Sequence, residues 1–371
     1  MSRVKFGDVV KDVKINIDRL NNPYEYYVAG DHMDSEDLTI HRKGCFTTDD
    51  VGPAFIRVFK PGQILYGSRR TYLKKIAVAD FEGVCANTTF VFETKDPHAF
   101  EQRLLPFIML SKDFTTWSIA KSKGSTNPYV LFSDLADFEF ELPPLEEQKV
   151  LVDKLWAAYR LKEAYKKLLV ATDEMVKSQF IEIFYGMETT PVKDYIDDSF
   201  PGEWGTEDKD GNGVKVIRTT NFTNSGKLNL ADVVTRSIED RKVVRKQIKK
   251  YDTILERSGG TADNPVGRVV LFEEDNLFLC NNFTQVLRFK DVDPRFAFYA
   301  LYYFYQTNRT AIRSMGSKTT GIQNLNMSKY LEIGIPNASD EDQKAFVTIA
   351  EQADKSKFEL KQCIENIDKV I

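Results

Sequence analysis

The chain has 371 residues, 42% hydrophobic, 29% charged and 12% aromatic, which is the balance of a water-soluble globular protein and excludes disorder over most of its length. A formal net charge of −4 excludes a uniformly basic nucleic-acid coat but leaves room for local basic patches. The longest apolar run, residues 296–305, falls well short of the ~18 residues a membrane span needs. Met1-Ser2-Arg3-Val4-Lys5 carries no apolar signal region, which predicts a cytoplasmic protein. Cys45, Cys85, Cys280 and Cys363 form no Cys-x-x-Cys pair. With His32, His41 and His98 as the histidines, no metal site is expected.

Along the chain, one set of elements is followed by a second in the same order, its landmarks displaced by about 190 residues. Val4-Lys5 recurs as Val192-Lys193, and Ile64-Leu65 as Ile254-Leu255. Cys85-Ala86-Asn87 recurs as Cys280-Asn281-Asn282, with Thr89 matching Thr284. Residues 76–85 read as strand, turn, strand, and so do residues 269–280. Asp96-Pro97 and Asp293-Pro294 each read as an N-cap and first helical residue. Gly124-Ser125 recurs as Gly316-Ser317, and Glu147-Gln148 as Asp342-Gln343.

Each half closes on a long helix. After Pro143-Pro144, residues 145–184 contain no glycine or proline. Leu151, Leu155, Ala158, Tyr165, Leu168, Thr172, Met175, Gln179 and Ile183 recur there at helical spacing, interrupted by Lys162. After Pro336, Ser339 and Asp342 resemble a capping box. Phe346, Ile349, Ala353, Ser356, Leu360, Cys363, Ile367 and Val370 then alternate in threes and fours as a heptad stripe. Helices of roughly 60 Å and 50 Å cannot bury such stripes against a compact domain alone, so an antiparallel coiled coil of the two is expected. The architecture expected is α+β: two pseudo-twofold-related globular domains, residues 1–142 and 188–336, separated by long helices in 143–187 and 337–371.

Nucleic-acid contacts need cations for phosphate and side chains that read base edges. The first half offers Ser68, Arg69, Arg70, Tyr72 and Lys74, then Lys121, Lys123, Ser125, Thr126 and Asn127. The second offers Arg257 and Ser258, then Arg313, Ser317, Lys318, Thr319 and Thr320, at equivalent points. The run 241–250 holds six cations and no acid and suggests a short helix with a basic face, making Lys246, Lys249 and Lys250 phosphate-contact candidates. Acidic stretches such as 203–210 and 273–275 are expected to face away from DNA. Intrinsic chemistry is poorly supported. Asn127-Pro128-Tyr129 lacks the second proline of an adenine-methyltransferase loop, and Gly211-Asn212-Gly213 is not a dinucleotide fingerprint. Asp80, Glu93 and Lys95 match the spacing of a metal-dependent nuclease core, but Arg288 and Lys290 occupy the corresponding place in the second half.

Leu142-Pro143-Pro144-Leu145-Glu146-Glu147-Gln148 at the first long helix, Gly62-Gln63-Ile64-Leu65 followed by Val84-Cys85-Ala86-Asn87, and the partial copy from Ile335-Pro336 to Asp342-Gln343 resemble the specificity subunits of Type I restriction–modification enzymes over the whole chain. The resemblance implies a non-catalytic subunit involved in phage defence. Its two target-recognition domains each read one part of a split, asymmetric double-stranded DNA target. Its helices fix the spacing and dock two modification (methyltransferase) subunits, which restriction/translocase subunits join. It further implies no cofactor bound by this chain, with S-adenosylmethionine, ATP and Mg²⁺ used by the partners. Tyr159 and Phe180 are offered as docking residues or as core contacts. The alternatives are a free-standing coiled-coil DNA-binding regulator and a metal-dependent nuclease.

Overall fold

The computed structural model describes residues 2–18, 21–261, 263–319 and 322–371, with 318 and 319 given by backbone alone. The chain divides into two compact units, residues 1–167 with 361–371, and residues 168–360. Among the described residues no helix is long and apolar enough to cross a membrane.

In unit 1, β1 (Ser2–Lys5), the single turn α1 (Phe6–Val9), β2 (Val10–Asp12), β3 (Tyr26–Val28), β4 (Gly44–Cys45), β5 (Phe55–Phe59), β6 (Ile64–Gly67), β7 (Ile76–Val78), β8 (Gly83–Ala86) and β9 (Thr89–Thr94) precede α2 (Leu105–Leu110), α3 (Lys112–Ala120), α4 (Phe132–Ala136) and β10 (Glu139–Leu142). Two four-stranded sheets form, in the orders β2-β9-β6-β7 and β4-β3-β8-β5. The segment 76–86 is therefore a crossing between sheets: β7 pairs with β6, and β8 with β3 and β5. The alternation in β9 sends Val91 toward Val28, Leu65, Ala77 and Cys85, and Phe92 toward Ile64, Tyr66, Leu105 and Phe114. A sheet covered on both faces reads as nearly continuous apolar sequence, as β6 and β9 do.

Unit 2 contains β11 (Thr189–Pro191), β12 (Ile196–Pro201), β13 (Thr206–Glu207), β14 (Val214–Ile217), β15 (Val234–Ser237), β16 (Thr253–Glu256), β17 (Ser258–Gly259), β18 (Val269–Leu271), β19 (Phe278–Cys280), β20 (Thr284–Phe289), β21 (Gly316–Thr319), β22 (Ile322–Leu325) and β23 (Gly334–Pro336). The sheet β12-β20-β16-β18 matches β2-β9-β6-β7, and β15-β14-β19 matches β4-β3-β8, but the second sheet gains β13 at one edge and has no strand in place of β5 at the other. Where β5 lines β8, unit 2 places a helix, Asp240–Lys246, and the backbone N–H of Ile248 then bonds the Phe278 carbonyl at 3.1 Å.

The ladders set the repeat's true register. Cys85 lies opposite Val28 and Cys280 opposite Ile217, each in a parallel pair. Burial pushes both thiols up to about 12. With Thr89 matched to Thr284, Val91 corresponds to Val286. Leu65 faces Val91 and Ile254 faces Val286, so Leu65, not Ile64, is the counterpart of Ile254. The letter match Ile64-Leu65/Ile254-Leu255 is out by one residue, which would place every side chain on the wrong face. Val4/Val192 is out by two, because Phe6 and Val192 are the fully buried residues that donate backbone N–H to Phe138 and Ile333. Asp96 caps only a turn, accepting from the His98 N–H at 2.8 Å. The counterpart of Asp293 is Glu101. Each side chain accepts from the N–H two residues on, Arg103 or Arg295, and each backbone N–H donates to a buried glutamine, Gln148 or Gln343.

Those glutamines anchor the long helices. Gln148 is fully buried, and its amide nitrogen also donates to the carbonyls of Ala99 (2.9 Å) and Pro143 (2.8 Å). Gln343 donates to the Ala338 carbonyl at 2.9 Å. Gln148→Leu is expected to cost about 2 kcal/mol by leaving these buried groups unpaired. A lower urea midpoint with an unchanged m-value checks it.

The helix α5 spans Leu145–Phe184. It is followed by α6 (Asp240–Lys246), α7 (Pro294–Thr307), α8 (Arg309–Met315), α9 (Met327–Tyr330) and α10 (Asp340–Asp368). Ser339 caps α10, accepting from the Asp342 N–H at 3.1 Å. In unit 2, α5 and α10 run antiparallel: Asp173 meets Lys357 at 2.6 Å, and further along α5 Phe180 meets Phe346 edge to face with ring centroids 5.1 Å apart. In unit 1, Lys162 pairs with Asp368. The buried face of α5 is rotated from the expected stripe. Gln148, Val152, Leu155, Tyr159, Lys162, Val176, Phe180 and Phe184 are buried, while Leu151, Leu168, Met175 and Ile183 are exposed. The globular parts bury the side carrying Val152, Leu155, Tyr159, Val176, Phe180 and Phe184 and leave Leu151, Leu168 and Met175 open. On α10, Phe346 and Ala353 are buried with Val347 and Ala350, whereas Cys363, and Val370 just past the helix end, are exposed.

Candidate nucleic-acid interface

Two segments far apart in the sequence of unit 1 meet on one surface. Arg70 N–H donates to the Pro128 carbonyl at 2.7 Å, and Val130 N–H to the Ser68 carbonyl at 2.9 Å. Lys123 and Tyr129 exchange both backbone hydrogen bonds, at 2.7 and 2.9 Å, closing a hairpin over residues 124–128. The hydroxyls of Thr71 and Ser122, 3.1 Å apart, tie the segments from beneath. Arg70 (φ 50°) and Lys74 (φ 46°) sit in the left-handed region, a strained choice for non-glycine residues that concentrates at functional loops.

Arg69, Arg70, Tyr72, Lys121, Ser125, Thr126 and Asn127 are exposed there. Among the described residues, Arg69 and Arg70 have no ion-pair partner. Arg69 lies 6.0 Å from the centroid of the Tyr129 ring and Lys121 lies 4.8 Å from that of Trp117. Other expected contacts are otherwise engaged. Ser68 is buried and its hydroxyl donates to the Thr88 carbonyl, so it shapes the loop. Lys74 pairs with Glu36. Lys123 pairs with Asp134 at 3.0 Å, and this bond holds the Asp134 carboxyl below its usual range.

Unit 2 builds the same junction with more strand. Ser258 and Ser317 both lie opposite Asn324, as Arg69 and Lys123 both lie opposite Tyr129. Ser317 thus corresponds to Lys123, so Gly124/Gly316 is out by two. Ser258 is buried and donates to Asn324 Oδ1 at 2.7 Å. Arg257 reaches Gln285 Oε1 at 3.4 Å. Arg313 and Ser317 are exposed. Thr320 and the side chains of Lys318 and Thr319 lie outside the described residues.

The basic run does form a helix, α6, but its charge is largely answered. Lys246 bonds Glu203 (3.0 Å), Lys250 bonds Asp275 (2.9 Å), Lys242 lies 3.4 Å from Glu203, and Arg245 grips Asp198 with two hydrogen bonds. Lys246 holds the Glu203 carboxyl below its usual range, and Asp275 raises the Lys250 ammonium. Of the acidic stretches, Glu203 partners this helix, Asp275 the lysine that follows it, and Glu273 pairs with Lys227. Lys249 and Arg241 stay exposed and, among the described residues, unpaired.

The Asp80, Glu93 and Lys95 pattern does not assemble. Glu93 accepts from Gln63 at 2.9 Å and pairs with Lys11, Lys95 donates to the Gly7 carbonyl at 2.6 Å, and Asp80 is exposed. In unit 2 the Gln63–Glu93 contact becomes Asp252–Arg288, at 2.7 Å.

A sequence model of the Type I restriction modification DNA specificity domain matches residues 19–169 and 199–368. The chain belongs to this family. Both copies of the specificity domain take in a globular part and most of a long helix. The chain is 25% identical over 194 residues to the Type I restriction enzyme EcoDI specificity subunit of Escherichia coli, a match covering 50% of this chain and 42% of that protein. The fold is shared with a chain from a structure addressing complex assembly and conformational transition of the type I R-M system (TM-score 0.57, 18% identity, 100% of this chain and 97% of that one). It is also shared with the Type I restriction-modification S subunit from M. genitalium (TM-score 0.55, 14% identity, 100% and 94%).

A search for cationic, glycine-containing loops passes over Trp117 and meets Tyr129 only within Asn127-Pro128-Tyr129, yet these two rings carry the aromatic half of the unit 1 surface. The signal for Tyr129 is its place directly after Asn127-Pro128, a dipeptide that starts turns.

Proposed function

We propose that this chain is the DNA-sequence-recognition subunit of a Type I restriction–modification complex, itself non-catalytic, each globular part reading one part of a split target. The observation that carries this is the repeated junction. In each unit two distant segments meet on a hairpin at the same point of a shared scaffold, with unlike side chains at matching positions. Unit 1 presents Arg69, Arg70, Tyr72 and Lys121, and unit 2 presents Arg257 and Arg313. Arginine reads guanine bidentately, and lysine and tyrosine hold phosphate.

α5 and α10 set the spacing and dock two modification subunits, which restriction/translocase subunits join; S-adenosylmethionine, ATP and Mg²⁺ belong to those partners. Docking falls to the open face of α5, where Leu161, Leu168 and Met175 recur at seven-residue spacing and are exposed. Tyr159 and Phe180 are buried core contacts.

The test takes the chain assembled with its modification subunit and a DNA site mapped by methylation-sensitive sequencing. Arg70→Glu with Lys121→Glu is expected to weaken binding at least tenfold and to lower the slope of log K against log salt by about 2, near 0.9 for each phosphate no longer neutralised. Unchanged affinity and slope would remove these loops from the interface.

A further inference from the structure

Three histidines scattered through the sequence point to no metal site, but folding brings one of them to two carboxylates. Asp37 and His41 lie in the loop between β3 and β4, and Glu163 lies on α5. One ligand atom from each lies within 4.8 Å of the others. His41 Nε2 is 3.1 Å from Asp37 Oδ2. Asp37 is buried, and its Oδ1 accepts from the Tyr159 hydroxyl at 2.6 Å and the Thr39 N–H at 2.9 Å, so its second oxygen is aimed at the cluster. Tyr159, one helical turn before Glu163, is fixed in turn by the Leu38 N–H at 2.9 Å. Glu163 Oε1 is shut off from solvent and makes no hydrogen bond. The Lys166 ammonium, 2.8 Å away and partly exposed, balances its charge.

We propose that Asp37, His41 and Glu163 form a binding site for a first-row divalent transition ion. One imidazole and two carboxylates are a mixed nitrogen and oxygen set, suited to Zn²⁺, Co²⁺ or Mn²⁺, whereas Mg²⁺ and Ca²⁺ take oxygen alone. The Tyr159 hydroxyl and Thr39 N–H supply the outer hydrogen bonds that orient a ligating carboxylate. The His41 side chain is 43% exposed, which gives the ion a path in and leaves positions for water. Bound there, the ion ties the 37–41 loop to α5. Lys166 swings to solvent as the ion takes over its role. The site shares no residue with the DNA-facing loops, so it stands or falls apart from that assignment.

The test is calorimetric titration of the full chain, stripped with EDTA, using MnCl₂ and separately ZnCl₂, with MgCl₂ for comparison. Mn²⁺ is the stricter probe, because the thiol of exposed Cys363 competes for Zn²⁺. One saturable Mn²⁺ site per chain is expected, lost in His41→Ala and in Glu163→Gln and about tenfold weaker in Tyr159→Phe. Melting in EDTA should match the parent for His41→Ala, while added Mn²⁺ raises the melting temperature of the parent only. No saturable binding, or binding and thermal shift unchanged in both His41→Ala and Glu163→Gln, would overturn the proposal.

Discussion

Phe346→Ala is expected to destabilise unit 2 by about 3–5 kcal/mol. Phe346 is 1% exposed. Its ring stands edge-on to Phe180 (centroids 5.1 Å), Tyr299 (5.5 Å), Phe184 (5.7 Å), Phe296 (6.4 Å) and Tyr303 (6.5 Å). These rings come from α5, α7 and α10, so one side chain closes the junction of three helices. Truncation removes its transfer free energy and leaves a cavity walled by rigid rings that collapse poorly. Edge-to-face geometry adds about 0.5–1.5 kcal/mol per pair beyond buried area, which places the loss toward the upper end. Native-state hydrogen exchange reads it locally: amides of β20 and α7 should lose protection, and those of β6 and β9 in unit 1 should keep theirs. A loss below about 1 kcal/mol would mean that the rings repack, and the junction would not be the keystone of unit 2.

The same cluster shows what the sequence discloses and what it hides. The long helices and their caps are local signals, and Ser339, Asp293-Pro294 and the glycine-free run 145–184 all form as read. Which face of α5 is buried is not a local property. Leu151 and Leu168 are as apolar as Val152 and Tyr159, and the shape of the globular part decides between them. The duplication is visible in Cys85/Cys280 and Gln148/Gln343, where buried groups tolerate little change. It blurs at Ile64/Ile254 and Asp96/Asp293, where letters coincide out of register. Hydrogen bonds across a ladder, absent from any one-dimensional comparison, correct the match. The DNA-facing loops are legible as cationic segments, but their pairing, and the loss of Ser68, Lys74, Lys123 and Lys246 to internal partners, depends on contacts between residues about 10 to 60 positions apart.

Asp354→Ala is expected to cost about 3 kcal/mol at neutral pH, and the penalty is expected to shrink in acid. Asp354 sits mid-way along a chain of alternating charge. Lys227 lies 2.7 Å from Glu273 and 2.9 Å from Asp354, and Lys357 lies 2.8 Å from Asp354 and 2.6 Å from Asp173. The chain joins the globular part of unit 2 to α10 and α5. Burial opposes ionisation of Asp354, but Lys227 and Lys357 outweigh it and hold its carboxyl below the ordinary value of 3.8. Burial likewise opposes the charge on Lys227 and Lys357, and their acidic partners outweigh it and raise both above 10.5. Removing Asp354 takes one of its two carboxylate partners from each of two partly buried ammoniums; breaking a buried pair costs about 3–5 kcal/mol, and the low end applies because Glu273 and Asp173 stay in place and the Asp354 side chain is 26% exposed. A carboxyl with a lowered native pKa contributes stability that is present above its unfolded value and lost as pH falls through the native one. The lysines, with raised native values, contribute below 10.5 and lose that contribution as pH rises through the native ones. The parent should therefore hold a plateau between these limits, and the gap between parent and Asp354→Ala should narrow as pH drops below about 4. Urea midpoints from about pH 7 to about pH 3, with Asp354→Asn as the near-isosteric control, measure it. A gap that stays constant over that range would assign the loss to packing and remove the charge chain as the link between the globular part and its helices.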